Sequence, residues 1–487
     1  MYVIGLDVGT TCTKALLVDD NGKIAGEGSS GYPLISSGKK IEQNPQDWID
    51  ASVLAIHQAV RTADVSQIKG ISLSTQGAST AAVDGNGKFI GNAVTWMDTR
   101  SEKEAEELEQ ELGGEDVYHS TGWKVNPALD AAKLRHMKRD PAYREAKKYL
   151  STLEVLNQFL TGKPVIDPTN AAIRQLYCVE KNRWDEKLLA FAGISKEELP
   201  DVLPAGEKVG ELSEEAAEKT GLPKGTAVFN GAHDQYCAAI GSGAVKEGDM
   251  LLSAGTTWVL MGIGKKPLFT DSYIAPGKHP EKGLYGAIAS LVCSGASLQW
   301  FKNEFLPEDF QTMNEEAAKR REKTEDLFFY PYLSGANYPI WNLKARGAFT
   351  GLSLEHDRFD LARAIMEGVA FGARRGVADF EANGCKIEKI TMMGGASRSQ
   401  LWCQMLASVT HKPIYRLNQA DICALGAAMI AACGLGIYQN YTEAAKAMVH
   451  TEHIYEPQQE EMQYYDRKFQ KFDKMWSYMQ RYYENID

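Results

Sequence analysis

Tyr2-Val3-Ile4-Gly5-Leu6-Asp7-Val8-Gly9-Thr10-Thr11-Cys12-Thr13-Lys14-Ala15-Leu16-Leu17-Val18-Asp19 is the stretch whose reading decides the fold. Val3, Ile4 and Leu6 form a short strand-like run that ends in Asp7. A second apolar run, Ala15 to Val18, follows Lys14 and closes in the turn Asp19-Asp20-Asn21-Gly22. The pattern predicts a β-hairpin whose loop carries a carboxylate, a glycine, two threonines and a lysine. Glycine lets a ligand approach the backbone closely. Amides and hydroxyls suit phosphate oxygens, Lys14 offers a positive charge, and Asp7 can hold Mg²⁺ directly or through water. An ordinary tight hairpin with polar surface residues has the same composition, so other stretches must decide.

A second hairpin of the same type opens the later half: Met250 to Ser253, then Ala254-Gly255-Thr256-Thr257, then Trp258 to Met261. A glycine loop, Gly394-Gly395-Ala396-Ser397, follows the strand-like Ile390 to Met393. After it come Trp402 to Ala407 and the small-residue run Ala424-Leu425-Gly426-Ala427-Ala428. Two hairpins and a late glycine loop predict two similar domains closing on one phosphate-bearing ligand. In this order the stretches resemble the FGGY family of carbohydrate kinases, within the actin-like ATPase superfamily, over nearly the whole chain. The resemblance implies an α/β fold with two ribonuclease H-like (actin-like ATPase) domains separated by a ligand cleft. Residues 1–245 would bind sugar and carry the catalytic group, and residues 246–487 would bind nucleotide.

The bulk properties agree with this. A chain of 487 residues is too long for one typical core. The hydrophobic fraction of 44% and charged fraction of 24% are those of a folded protein. A formal net charge of −11 gives no reason to expect nucleic acid or an anionic membrane as partner. No basic region followed by an apolar segment precedes the first strand, and no apolar stretch is long enough to span a bilayer, so cytoplasmic residence is expected. Eight dispersed cysteines without a CxxC pair read as buried small side chains, not as a zinc site.

Along the chain, Pro45 opens a helix with Trp48, Val53, Ile56 and Val60 at helical spacing. Residues 101 to 112 read as a solvated charged helix. Pro127 to His136, Pro141 to Leu150 and Thr152 to Thr161 read as helices, and Glu316 to Leu327 as a charged helix or excursion. Thr226 to Phe229 is a strand that delivers Asn230 to Gln235 to a small-residue helix. Phe328 to Asn342, rich in aromatic residues, proline and glycine, suits an irregular lining of a cleft. Residues 451 to 487 read as a terminal helix docked through its aromatic face.

Phosphoryl transfer needs a nucleotide held by its phosphates, a divalent ion, an acceptor hydroxyl in line with the γ-phosphorus, and a group to receive its proton. The resemblance places the catalytic aspartate in the strand-loop-helix that holds Asp234, although a helix cap uses the same residue type. His233 beside it reads as a packing or hydrogen-bonding residue. Asp7, with Asp234, is the expected Mg²⁺-linked carboxylate. Thr10, Thr11 and Lys14 would position phosphate oxygens, Gly255, Thr256 and Thr257 resemble the second phosphate segment, and Gly394, Gly395 and Ala396 resemble the loop beside adenosine. The family often has a glutamate before the last small-residue helix; this chain has Asn418-Gln419-Ala420-Asp421.

The sugar is expected against Gln76, Trp96, Asp98, Arg100 and Gln235. Trp96 offers an apolar face to C–H groups, and Gln76 and Asp98 offer partners to hydroxyls, which are costly to bury unpaired. Core packing for Trp96 and a surface ion pair for Asp98 and Arg100 are the competing readings. Xylulokinases usually show Gln-Met-His-Gly where this chain has Gln76-Gly77-Ala78-Ser79. The Trp96-Met97-Asp98-Thr99-Arg100 segment is xylulokinase-like, and the arginine-glutamate pair of glycerol kinases is missing from the neighbouring loop. A ketopentose is the first expectation, D-xylulose giving the 5-phosphate; L-xylulose, ribulose, gluconate, a tetritol and the autoinducer sugar precursor stay open. An ATP hydrolase and a non-catalytic sugar-binding protein are the alternatives of other classes. ATP and Mg²⁺ are the expected cofactors, and the family often forms homodimers.

Overall fold

Strand β1 (Tyr2–Val8) is buried along nearly its whole length, as a strand covered on both faces must be. It runs antiparallel to β2 (Cys12–Asp19), which pairs with β3 (Ile24–Gly31). On its other side it runs parallel to β4 (Ile68–Thr75). Helix α1 (Pro45–Val60) covers β2 and β3. Asn44 caps it by accepting from the Gln46 amide, Pro45 takes the first turn, and Trp48, Ile49, Ala55 and Ile56 point inward. Further along, helix α2 (Pro168–Ile173) precedes β5 (Lys208–Glu211), β6 (Ala227–Phe229) and β7 (Ala232–His233), and helix α3 (Asp234–Gly241) ends the lobe. The sheet order is β5-β6-β4-β1-β2-β3, with β7 also on β4.

The structure, a computed structural model, describes residues 1–336, 338–419 and 421–485. Ala420, within the segment before the last small-residue helix, lies outside the described residues, as do Asn337 in the expected cleft lining and Ile486 and Asp487 at the terminus.

The second lobe repeats the plan. Strands β8 (Asp249–Ala254), β9 (Trp258–Gly264), β10 (Ala275–Lys278), β11 (Tyr285–Leu291), β12 (Lys389–Met393), β13 (Ile414–Leu417) and β14 (Thr451–Tyr455) form one sheet, ordered β10-β11-β9-β8-β12-β13-β14. Its helices include α4 (Ser294–Phe305), α5 (Phe310–Ala318), α6 (Arg358–Ala382), α7 (Gln400–Thr410), α8 (Ile422–Gly434) and α9 (Gln459–Glu484). The terminal helix docks through Tyr465, Phe472 and Trp476, with Phe472 stacked on Tyr330 at 4.5 Å. Residues 451–455, read as part of that helix, are instead an edge strand held by Ile414–Leu417.

The lobes share a core of their own. Helix α8 packs on β1, β4 and α3 of the first lobe, joining Cys237, Ala238 and Ile240 to Ala424, Leu425 and Ala428. The helices meet backbone to backbone: a Cβ on Gly426 would stand 1.9 Å from the Cys237 carbonyl oxygen.

A small sheet sits beside the first lobe: Ile35–Ser37, Lys40–Gln43, Ala93–Val94, Thr80–Val83 and Lys148–Ser151 in that order. The helix expected over Pro141 to Leu150 is therefore absent; one 3₁₀ turn, Pro141–Tyr143, leads into a strand that a distant partner pairs. Of the charged helix or excursion expected over Glu316 to Leu327, only the first three residues are helical, ending the helix Phe310–Ala318 that Asp309 caps, and turns follow to Asp326. Among the described residues no helix is long and apolar enough to cross a membrane.

Candidate active site

Three parallel strands deliver the chemistry to one edge. In β1 Asp7 lies opposite Ser74 of β4, and Val8 opposite Thr75. In β7 Ala232 lies opposite Ser74, and His233 opposite Thr75. The strands end together, so Asp7, Gln76 and Asp234 emerge side by side at their carboxyl ends, where open α/β sheets place ligands. Asp234 then starts α3, with its carboxylate in the first turn.

The first hairpin is held from several sides. Gly9 N–H donates to the Cys12 carbonyl (3.1 Å), the Tyr32 hydroxyl donates to the Gly9 carbonyl, and Gln43 Nε2 donates to the Thr10 carbonyl (2.6 Å). Asp7 and Lys14 are cross-strand neighbours. Ser74 Oγ donates to Asp7 Oδ1 at 2.7 Å. Burial pushes the Asp7 carboxyl up to about 7; the Ser74 bond opposes this, and the charge of Asp234 adds to it. Lys14 reaches across to Asp421, at the N-cap of α8, and the hydrogen bond to that carboxylate raises its pKa.

Asp7 suits Mg²⁺. Its ionised form is disfavoured by burial and by a second carboxylate nearby, and a cation would offset both. Among the described residues no cluster of three potential ligands stands ready. Mg²⁺ held with a nucleotide needs only one or two carboxylates, since phosphate oxygens and water complete its shell.

The residues expected at the sugar come from the ends of the small sheet. Gln43 closes one of its strands, Trp96 follows another, and Gln76 to Ser79 lead into a third. Gln76 Nε2 donates to Gln43 Oε1 at 2.8 Å, and Trp96 Nε1 donates to Thr10 Oγ1 at 3.1 Å, tying this side to the phosphate hairpin. Trp96 stays 44% exposed, which core packing would not leave. The amide oxygens of Gln76 and Gln235 are buried with no protein donor. Such atoms are costly unless something supplies a hydrogen bond, and a hydroxyl-bearing ligand can.

Asp98 and Arg100 are bound to each other and to the neighbouring strand. Asp98 is 1% exposed. It accepts from Ile41 N–H (2.7 Å) and from Arg100 N–H, Nε and Nη2, and Arg100 also donates to Glu42 at 2.6 Å. Burial pushes the Asp98 carboxyl up, but the bonds from Arg100 and Ile41 outweigh it and hold it low. This is a buried clamp, not a surface pair, and it fixes the Trp96 turn on the Lys40–Gln43 strand.

Across the cleft, the β8–β9 hairpin presents Gly255, Thr256 and Thr257, and Ala296 N–H of α4 donates to the Thr256 carbonyl at 3.0 Å. Gly394 follows β12 with φ +92°, and its Cβ would lie 2.7 Å from the Ala254 carbonyl oxygen, so this turn needs glycine for both conformation and space. Gly255, Thr256, Gly395 and Ala396 line a cleft of about 1140 Å³ that continues past Phe310, Met313, Asn314 and Trp402. Its length and its apolar far end suit a purine nucleotide. The α5 residues that line this cleft were missed in the sequence, because nothing local in Phe310–Ala318 marks it as a cleft wall. Asp421 and Gln43 were also missed as partners, since their contacts join distant segments.

The FGGY family of carbohydrate kinases matches here twice, its N-terminal domain over residues 2–241 and its C-terminal domain over 250–435. Xylulose kinase from Bacillus subtilis (strain 168) is 28% identical over 484 residues, covering 98% of this chain and 97% of that one. Gluconokinase from the same organism is 30% identical over 457 residues, covering 90% and 87%. The crystal structure of ligand-bound xylulose kinase from Lactobacillus acidophilus superposes with a TM-score of 0.93 at 27% identity, over 100% of both chains. The chain belongs to the FGGY family of carbohydrate kinases, which use ATP to phosphorylate a hydroxyl of a sugar or polyol.

Proposed function

We propose that this chain transfers the γ-phosphoryl group of ATP to the terminal hydroxyl of a small neutral sugar, a ketopentose first, with D-xylulose and its 5-phosphate as the leading pair. The observation that supports this reading is that Asp7, Gln76 and Asp234 leave the carboxyl ends of neighbouring parallel strands, with the orphaned amide oxygens of Gln76 and Gln235 beside them. Asp234 orients the attacking hydroxyl and receives its proton as the P–O bond forms. Lys14, Thr10 and Thr11 hold phosphate oxygens from the first lobe, and Gly255 to Thr257 from the second. Gly394, Gly395 and Ala396 border the adenosine. Asp7, with Asp234 nearby, would hold Mg²⁺ directly or through water, and the ion would neutralise phosphate charge there. Trp96 lies against C–H groups, and Gln76 and Gln235 accept from sugar hydroxyls.

A neutral acceptor is favoured over a sugar acid by the cations around the loop. Lys133 is buried, donates to the Ala78 carbonyl and lies 3.4 Å from Asp130. Arg100 is held by Asp98 and Glu42. Both have their charges matched already. The test is coupled ADP release over a panel of pentuloses, hexuloses, polyols and sugar acids, with the product weighed by mass spectrometry. One added phosphoryl group on a ketopentose is expected. Release of ADP that ignores every sugar would instead indicate a hydrolase, and a best kcat/KM on gluconate would reverse the charge argument.

A further inference from the structure

We propose that His233 is the specificity-determining wall of the acceptor pocket and selects sugars that carry a hydroxyl next to the phosphorylated one. The proposal rests on the kinase reading above and deepens it.

Gly77 leaves a gap that the imidazole fills. A Cβ at residue 77 would stand 2.7 Å from His233 Cδ2, 2.9 Å from its Nε2 and 2.7 Å from Ile173 Cγ2. The backbone on both sides is held. The loop is pinned, with Gln76 N–H donating to the Val8 carbonyl (2.9 Å) and Lys133 donating to the Ala78 carbonyl. His233 is pinned through its backbone: its N–H donates to Thr169 Oγ1 (2.8 Å), and that hydroxyl donates to the buried Asp167 (2.6 Å). His233 is 6% exposed, and its ring occupies the space that a side chain at residue 77 would enter.

The same ring faces the reacting group. His233 Nε2 lies 3.3 Å from Asp234 Oδ1. A hydroxyl held by Asp234 therefore brings the hydroxyl on the next carbon within reach of the imidazole. A site that hydrogen-bonds a substrate hydroxyl rejects the analogue without it far more strongly than an apolar pocket can. For a ketopentose phosphorylated at C5, the hydroxyl read this way is the one on C4.

The experiment compares kcat/KM for the best ketopentose and its 4-deoxy analogue in wild type, His233→Ala, His233→Gln and Gly77→Ala, and in the Gly77→Ala/His233→Ala pair. Wild type should prefer the full sugar by about 100-fold or more, and His233→Ala should shrink that preference at least about 10-fold. His233→Gln, which returns a donor near Nε2, should restore part of it; a merely structural histidine would show no such rescue. Gly77→Ala should impair wild type yet cost much less in the His233→Ala background, a non-additivity that reports shared volume. An active wild type whose preference survives His233→Ala, or strictly additive effects of the two substitutions, would overturn the proposal alone. A wild type that phosphorylates no sugar would overturn the kinase reading, and the proposal with it.

Discussion

Replacing Gly426 by alanine should impair both stability and turnover, against the usual sign of that change. In an exposed helix interior, glycine to alanine stabilises by about 0.8–1.0 kcal/mol. At Gly426 the new Cβ would lie 1.9 Å from the Cys237 carbonyl oxygen and 2.7 Å from its carbon. Both are backbone atoms of α3, so no rotamer change relieves the overlap. Moving from 1.9 Å to about 3.4 Å requires the helices to part by about 1.5 Å. Overpacking of this kind costs about 1–3 kcal/mol or more, which exceeds the propensity gain. For a lobe of this size each kcal/mol corresponds to roughly 2–4 °C in Tm. Cys237 is one turn from Asp234, so the shift reaches the carboxylate proposed to receive the hydroxyl proton, and a misplacement of about 1 Å can cost about 100-fold in rate. The assay is sugar-dependent ADP release beside a thermal melt, with Ala427→Gly as a control for helix propensity. A Gly426→Ala protein with unchanged or raised Tm and normal kcat would refute the backbone contact.

Asp234→Asn should lower kcat by about 10²- to 10⁴-fold while the directly measured sugar Kd changes much less; near-normal kcat would return Asp234 to a helix-cap role. Asp7→Asn should give a kinetic defect that shifts with Mg²⁺ or Mn²⁺ concentration, unlike Asp234→Asn. The same substitution bears on pH: the Asp7 pKa is raised to about 7 in the fold, so its contribution to stability is lost as pH rises toward 7. Metal-free Asp7→Asn should then be more stable than wild type at pH 8, by at most about 4 kcal/mol at about 1.4 per unit. His279 titrates with the opposite sign. Burial lowers it to about 3, so its contribution is present above pH 6.5 and lost progressively on acidification toward 3. His279→Asn keeps an acceptor for the Glu281 amide and should flatten the loss between pH 7.5 and 5, by about 2 kcal/mol.

Features set by neighbours along the chain were legible in the sequence. The β1–β2 hairpin, the second hairpin, the Gly394 turn and the helix beginning at Asp234 each announce themselves within about ten residues. What depended on distant partners was not. Asp98 and Arg100, two residues apart, look like a surface pair until Ile41 and Glu42 close over them. Lys148 to Ser151 looks helical next to its charged neighbours, yet it pairs with Thr80–Val83. The small-residue helix α8 was read correctly as a helix, but nothing in Ala-Leu-Gly-Ala-Ala says that it lies on the strand that carries Asp7. His233 was read as a packing residue; that it packs against Gly77 is a fact of register between β4 and β7.

The ion pair between Lys14 and Asp421 gives the cleft a resident competitor. With Lys14 as the cation that meets phosphate, Asp421 holds the position an incoming anion must take, at the effective concentration of a tethered group, of order millimolar or above. Simple anions such as inorganic phosphate face that carboxylate without the adenosine contacts that would let them displace it. A nucleotide anchored across the whole cleft can displace it. On the proposed role of Lys14, the carboxylate would return to the lysine once the γ-phosphoryl group has left, and that return would favour departure of the spent nucleotide. On the proposed role of Lys14, one bridge between the lobes would filter what enters and hasten what leaves.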